Sequence, residues 1–256
     1  MDFWTQLYDQ FSALPPDSLT ALQDGYMKFY RAWFMKDRWM MYFRGLGTTL
    51  KVTVLARMLG IVLGVLVAVI RTAHDQQRPN ARNPLLGVLD LVCKLYITVI
   101  RGTPMMVQLL ILGFVVFKSS RDFDLVGSLG LGINSGAYVA EIIRGGLMSL
   151  DPGQAEAGRS LGLNYVQTMR FIVIPQAFKA ILPSLGNEFI VLLKDTSLIY
   201  VIAGKEIVYY ARAVITNTYE TMWPYFITAF IYLVMVLAFT WLHGRLERRL
   251  RQSDRR

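Results

Sequence analysis

From residue 45 onward the chain alternates long apolar runs with short polar stretches. The cleanest run covers residues 223–242, without a charge, and has Trp223 and Tyr225 at one end and Trp241 at the other. As a helix it reaches across the ~30 Å hydrocarbon core, and its aromatic ends fit the interfacial belts. Residues 45–70 form a second span, in which Gly60, Gly64 and Ala68 recur every four positions. Such a repeat makes a smooth ridge that a neighbouring helix can approach closely. Lys51 and Arg57 interrupt this span. An arginine at mid-bilayer costs at least ~2.5 kcal/mol, so Arg57 is expected to face protein or water.

Residues 85–117 exceed the thickness of the bilayer core as one helix and should extend into the cytoplasm, with Asp90 and Lys94, four apart, paired on one face. Pro104 removes the helical hydrogen bond to Ile100 and is expected to kink the element beside Arg101 and Gly102. A polar outer loop over 118–128 leads to a span at 129–150, where Gly132, Gly136 and Ala140 again fall four apart and Glu141 and Arg144 are embedded. Residues 151–181 are too polar to cross and predict short amphipathic helices on the inner face; residues 182–203 form a further span. The reading is an all-α integral membrane protein with about five transmembrane helices.

Composition agrees, with 54% hydrophobic and 18% charged residues and a mean hydropathy of +0.38, a balance that favours a bilayer over water as the solvent. Basic residues give the side. Arg245, Arg248, Arg249, Arg251, Arg255 and Arg256 follow the last span, and Arg71, Arg78 and Arg82 follow the first, which puts both stretches in the cytoplasm, with the N-terminus outside and the C-terminus inside. Lys28, Arg31, Lys36, Arg38 and Arg44 oppose this orientation; they are assigned to an interfacial amphipathic helix with Phe29, Tyr30, Trp33, Phe34 and Trp39. The net charge of +9 is thus read as lipid-facing, with no nucleic acid partner. Cys93 alone excludes an intrachain disulfide and a thiolate metal cluster, and His74 and His243 leave little for imidazole ligation, so no metal site is expected. Residues 1–20 lack the basic start and apolar run of a cleavable signal, and no GxxxxGK[ST] loop occurs, so energy has to come from another subunit or from a gradient.

The inner loop contains Glu156-Ala157-Gly158, three residues, Gly162, nine residues and then Ile172-Val173-Ile174-Pro175. This resembles the EAA motif of ABC importer permeases, departing from it at Gly158 for Ala and at Ile174 for Leu. Residues 96–108 with Arg101-Gly102-Thr103-Pro104 and Gln108, residues 134–146, Gly186-Asn187-Glu188-Phe189 and residues 193–198 are similar to the polar amino acid branch, the permeases for histidine, glutamine and arginine. The resemblance implies the type I ABC importer permease fold over residues 45–245, preceded by an extension over 1–44 and followed by a basic cytoplasmic tail over 246–256. It implies that the loop 151–177 is a cytoplasmic coupling helix in which Glu156, Ala157, Gly158, Gly162 and Pro175 serve docking to an ATP-binding subunit, where ATP and Mg reside; this chain itself binds no cofactor. It also implies an amino acid-binding protein outside, periplasmic or lipid-anchored, a second permease chain, identical or homologous, and residence in the bacterial inner membrane.

Moving an amino acid through lipid requires groups that replace the water around its ammonium and carboxylate. The candidates are Glu141 for a cationic group, Arg101 or Lys194 for a carboxylate, and Asp195 and Gln108 to complete the site, with Asn187 and Glu188 as an inner gate. Glu141 and Arg144, three apart, can equally neutralise one another, and Lys194 and Asp195 can pair with neighbouring helices. A gradient-driven secondary transporter and a membrane-anchored scaffold or receptor are the competing readings. The first predicts internal inverted repeats, and none is clear.

Overall fold

A computed structural model describes residues 3–77 and 83–252; Arg78, Arg82, Arg255 and Arg256 lie outside the described residues. Eleven α-helices occur among them. α1 (Phe3–Ser12) and α2 (Ala21–Trp33) form a hairpin. A reciprocal capping box between Thr20 and Gln23 starts α2, and Trp4 stacks on Tyr26 and Phe34 while Tyr8 stacks on Tyr30.

α3 (Trp39–Asp75) is longer than the expected span at both ends. α4 (Pro84–Gly102) begins under an Asn83 cap with proline in its first turn, where no donor is needed. The expected kink at Pro104 is a full break. Thr103 is extended at φ −120°, ψ 147°, as steric conflict with a following proline ring requires, and α5 (Met105–Ile111) leaves at 107° to α4 before widening into a π-turn at Leu112–Val116. α6 (Phe123–Met148) starts at an Asp122 cap, so half of the expected outer loop is helical.

α7 (Pro152–Ser160) and α8 (Tyr165–Thr168) are the short helices expected within 151–181. α9 (Ile174–Asp195) begins eight residues before the expected span and gives way to a 3-10 segment at Thr196–Ile202, which corrects the predicted 182–203. α10 (Ile207–Thr218), capped by Glu206, was not expected from the sequence, and α11 (Met222–Gln252) closes the chain.

α3, α6 and α11 are each long and apolar enough to cross a membrane, and the bent α4–α5 pair passes as one broken span. α9, diluted by Lys179, Glu188, Lys194 and Asp195, packs against α6, α11 and α3 and completes about five. The two small-residue ridges face each other at the α3–α6 crossing. A Cβ on Gly64 would lie 2.6 Å from Val139 Cβ and 3.1 Å from the Ala140 nitrogen, and one on Gly132 would lie 3.1 Å from the Ala56 carbonyl. Backbone contact this close supplies dispersion without any large side chain. Gly64→Val is therefore expected to lower stability by about 1–3 kcal/mol through overpacking, read as a reduced thermal midpoint of the purified protein, whereas Gly47→Val, which meets nothing within 4 Å, should leave it unchanged.

Candidate functional site: an acidic cavity and an exposed loop

Pro104 leaves the Ile100 carbonyl without its helical donor, and in lipid such a group needs a replacement. Gln108 provides it, donating Nε2 to the Ile100 oxygen at 2.7 Å and to Thr103 Oγ1 at 2.8 Å. Its own Oε1 accepts from Asn134 Nδ2 at 3.2 Å. Gln108 is thereby spent on holding the break open and orienting Asn134.

Beside the break lies a cavity of about 270 Å³, lined by Thr103 and Met105, by Asn134 and Tyr138 of α6, and by Glu188, Val191, Leu192 and Asp195 of α9. Glu188 accepts from Ser135 Oγ at 3.2 Å. The walls thus present two carboxylates, an amide and a phenol ring, and no cation. Of the five pathway candidates only Asp195 lines this cavity. Arg101 stands behind it, its guanidinium 5.2 Å over the Tyr138 ring. Lys194 is exposed and does not line it. Glu188, expected at an inner gate, sits instead with Asp195, and Asn187 beside it is exposed.

Glu141 is placed elsewhere. Its carboxylate receives Arg71 at 2.6 Å and Arg144 at 3.1 Å, with Arg101 at 3.6 Å, so its charge is already answered three times over by the chain itself. Arg71 also reaches Asp90, at 3.7 Å, which holds Lys94 at 2.7 Å as the four-residue spacing predicts and lies 3.4 Å from His74. These contacts tie α3, α4 and α6 together below the cavity. Arg57 faces protein as required, donating to the Leu185 carbonyl at 2.9 Å.

In the exposed loop, Asp151 caps α7, and the helix ends in a Schellman turn. Leu163 N–H bonds the Gly158 carbonyl at 3.1 Å and Gly162 N–H bonds the Arg159 carbonyl at 2.9 Å. Gly162 at φ +79° takes the left-handed position, the physical reason for glycine there. Gly158 is buried; a Cβ on it would meet Thr168 Cγ2 at 2.8 Å, so α7 rests directly on α8. Glu156 and Ala157 point outward, Glu156 with 71% of its side chain exposed, and Pro175 occupies the first turn of α9. Gln176 Nε2 donates to Gln154 Oε1 at 2.9 Å and the Tyr165 hydroxyl bonds Gln76 beyond the end of α3. α7 is thus tied to α9 and rests on α8, which Tyr165 ties to the end of α3, while the outer face of α7 stays open.

Residues 60–252 match the model of the binding-protein-dependent transport system inner membrane component family. The chain is 34% identical over 215 residues to the arginine transport system permease protein ArtQ of Bacillus subtilis, covering 82% of this chain and 92% of that one. It is 33% identical over 211 residues to the glutamine transport system permease protein GlnP of Escherichia coli, covering 81% and 91%. A chain from the crystal structure of an amino acid ABC transporter with histidines superposes at a TM-score of 0.72 with 42% identity, covering 82% of this chain and 94% of that chain. A chain of the inward-facing MetNI methionine ABC transporter superposes at 0.67 with 18% identity, a likeness of fold alone, over 82% and 96%. A fold shared with type I importer permeases, a family match over most of the chain and relatives above 30% identity together lead to one conclusion: the chain belongs to the binding-protein-dependent transport system inner membrane components.

Proposed function

We propose that this permease subunit of an ATP-binding-cassette importer carries amino acids with a cationic side chain into the cell. The observation that carries the reading is the cavity, whose lining has Glu188 and Asp195 as its charged groups. The likeness to an arginine permease, and to a transporter crystallised with histidines, supports it. Residues 45–245 make the transmembrane domain, and the arginines after the last span set the C-terminus inside the bacterial cytoplasmic membrane and the N-terminus outside. The loop 151–177 faces a separate ATP-binding subunit, which holds ATP and Mg. A binding protein delivers the substrate from outside, and a second permease chain supplies the facing wall of the pathway. ATP-driven closure of the partner subunits moves α7 and α8, and through Gln176 and Gln76 the ends of α9 and α3, so that the cavity opens to one side and then the other.

Asp195→Asn keeps the shape and removes one negative charge. Losing a charge-assisted contact costs about 1.5–3 kcal/mol, so half-saturation for arginine uptake in proteoliposomes with the partner subunits should rise at least about tenfold, with glutamine uptake changed much less. Equal losses for both substrates would remove the charge from the argument.

A further inference from the structure

Arg57 stands at the middle of α3, where a charged side chain is costly and its presence points to a task. Its Nη2 donates to the Leu185 carbonyl of α9 at 2.9 Å, and its Nη1 is buried without a hydrogen-bond partner. A carbonyl satisfies a donor but leaves a full positive charge unanswered. Leu185 lies three residues, about one turn, before Glu188 on α9. Glu188 is the acid whose charge acts on Arg57, as Arg57 acts on Glu188. From α6, Ser135 donates to the same carboxylate at 3.2 Å. There is room for Ser135 because α3 is bare at Gly60, one turn after Arg57: a Cβ there would lie 2.9 Å from Ser135 Oγ. Three helices thus meet around Glu188, and the cation among these groups is Arg57.

Arg57 does not line the acidic cavity, so it acts on a substrate through its field and through Glu188, not by contact. Arg101 and Lys194, the other cations nearby, are exposed, Arg101 with Glu141 at 3.6 Å, and exposed charges are screened. Arg57 is therefore the charge set against the two carboxylates of the lining, Glu188 and Asp195. A guanidinium stays protonated in proteins, so this offset is permanent. Two negative groups and one positive group leave the site with one net negative charge.

We infer that Arg57 sets the charge of the cavity, so that the cavity takes an amino acid with one net positive charge. The inference rests on the cationic-substrate reading and adds to it the part played by the substrate's own carboxylate. Two unopposed carboxylates would favour a dication; with Arg57 behind Glu188, an ammonium, a carboxylate and a cationic side chain together match the site, as charge complementarity requires. Arg57 is on these grounds a specificity-determining residue that acts through another.

Isothermal titration of the permease purified with its ATP-binding partner tests this, using arginine, glutamine and agmatine, which is arginine without its carboxylate and carries two positive charges. Wild type is expected to bind arginine better than either. Arg57→Gln keeps a donor and loses the charge; it should shift the preference between arginine and agmatine about tenfold toward agmatine, while Arg57→Lys keeps the wild-type preference. A role confined to tying α3 to α9 would weaken both ligands alike. Glu188→Gln carries the test if Arg57→Gln does not fold: with Arg57 counted, the site becomes neutral and the advantage of arginine over glutamine is lost, whereas without it Asp195 alone would preserve that advantage. Equal binding of arginine and glutamine by wild type would sink the cationic-substrate reading itself. A wild type that prefers arginine, with the arginine-to-agmatine preference unmoved in Arg57→Gln or the arginine advantage kept in Glu188→Gln, would overturn this inference alone.

Discussion

Glu156→Lys is expected to leave the permease inserted and folded and to reduce ATP-dependent uptake about 100-fold. The side chain is 71% exposed, and its ion pair, to Arg159 at 3.9 Å, is loose, so reversing the charge costs the fold little. What it alters is the outward face of α7, which is not engaged with α8 or α9. A like-charge juxtaposition on a docking surface costs several kcal/mol, and each 1.4 kcal/mol is tenfold in affinity. Uptake in proteoliposomes, and recovery of the ATP-binding subunit on the tagged permease, measure the two consequences separately. Glu156→Gln should fall between wild type and Lys. Wild-type uptake by Glu156→Lys with the ATP-binding subunit still recovered would show that α7 is not the docking element.

Features whose partners lie within one helical turn, or that repeat along one helix face, were legible in the sequence. The Asp90–Lys94 pair and the glycine ridges of α3 and α6 follow from spacing, Pro104 marks the place of the bend though not its 107° extent, and the EAA-like pattern marks a turn that needs glycine at 162. Contacts across helices were not legible. Arg71 reads as the basic end of a span, yet its partner Glu141 is 70 positions away, and no periodicity connects them. For that reason the sequence leaves Glu141 open between a substrate ligand and a partner of Arg144, and gives no signal for Asn134 and Tyr138, four apart on one face of α6, beyond their place in a stretch similar to amino acid permeases. α10 escaped notice because a 12-residue helix is below the length of a span and its cap, Glu206, looks like any loop acid. The sequence places the start of α9 at 182 because Gln176 and Lys179 make residues 151–181 too polar to cross, whereas the helix is already under way from the π-turn before Pro175, which fits its first turn.

The largest effect on folding is expected at Arg71. Its guanidinium lies between Glu141 of α6 at 2.6 Å and Asp90 of α4 at 3.7 Å, and the Asp90 side chain is 3% exposed. Arg71→Met removes a cation from between two carboxylates while keeping an apolar stem of similar reach. Glu141 retains Arg144 and Arg101, but buried Asp90 is left with Lys94, whose side chain is 49% exposed, and His74. Removing one partner of a buried ion network typically costs about 3–5 kcal/mol, because the remaining charge stays desolvated. The purified Arg71→Met protein should therefore unfold at a clearly lower temperature in detergent. Lys28→Ala, which breaks an exposed pair with Asp24 at 2.8 Å, should leave that temperature essentially unchanged. Adding Asp90→Leu to Arg71→Met is the sharper measurement: if the penalty is the stranded carboxylate, the double variant regains much of the lost stability, and if the two losses simply add, the network is not what joins α3 to α4 and α6.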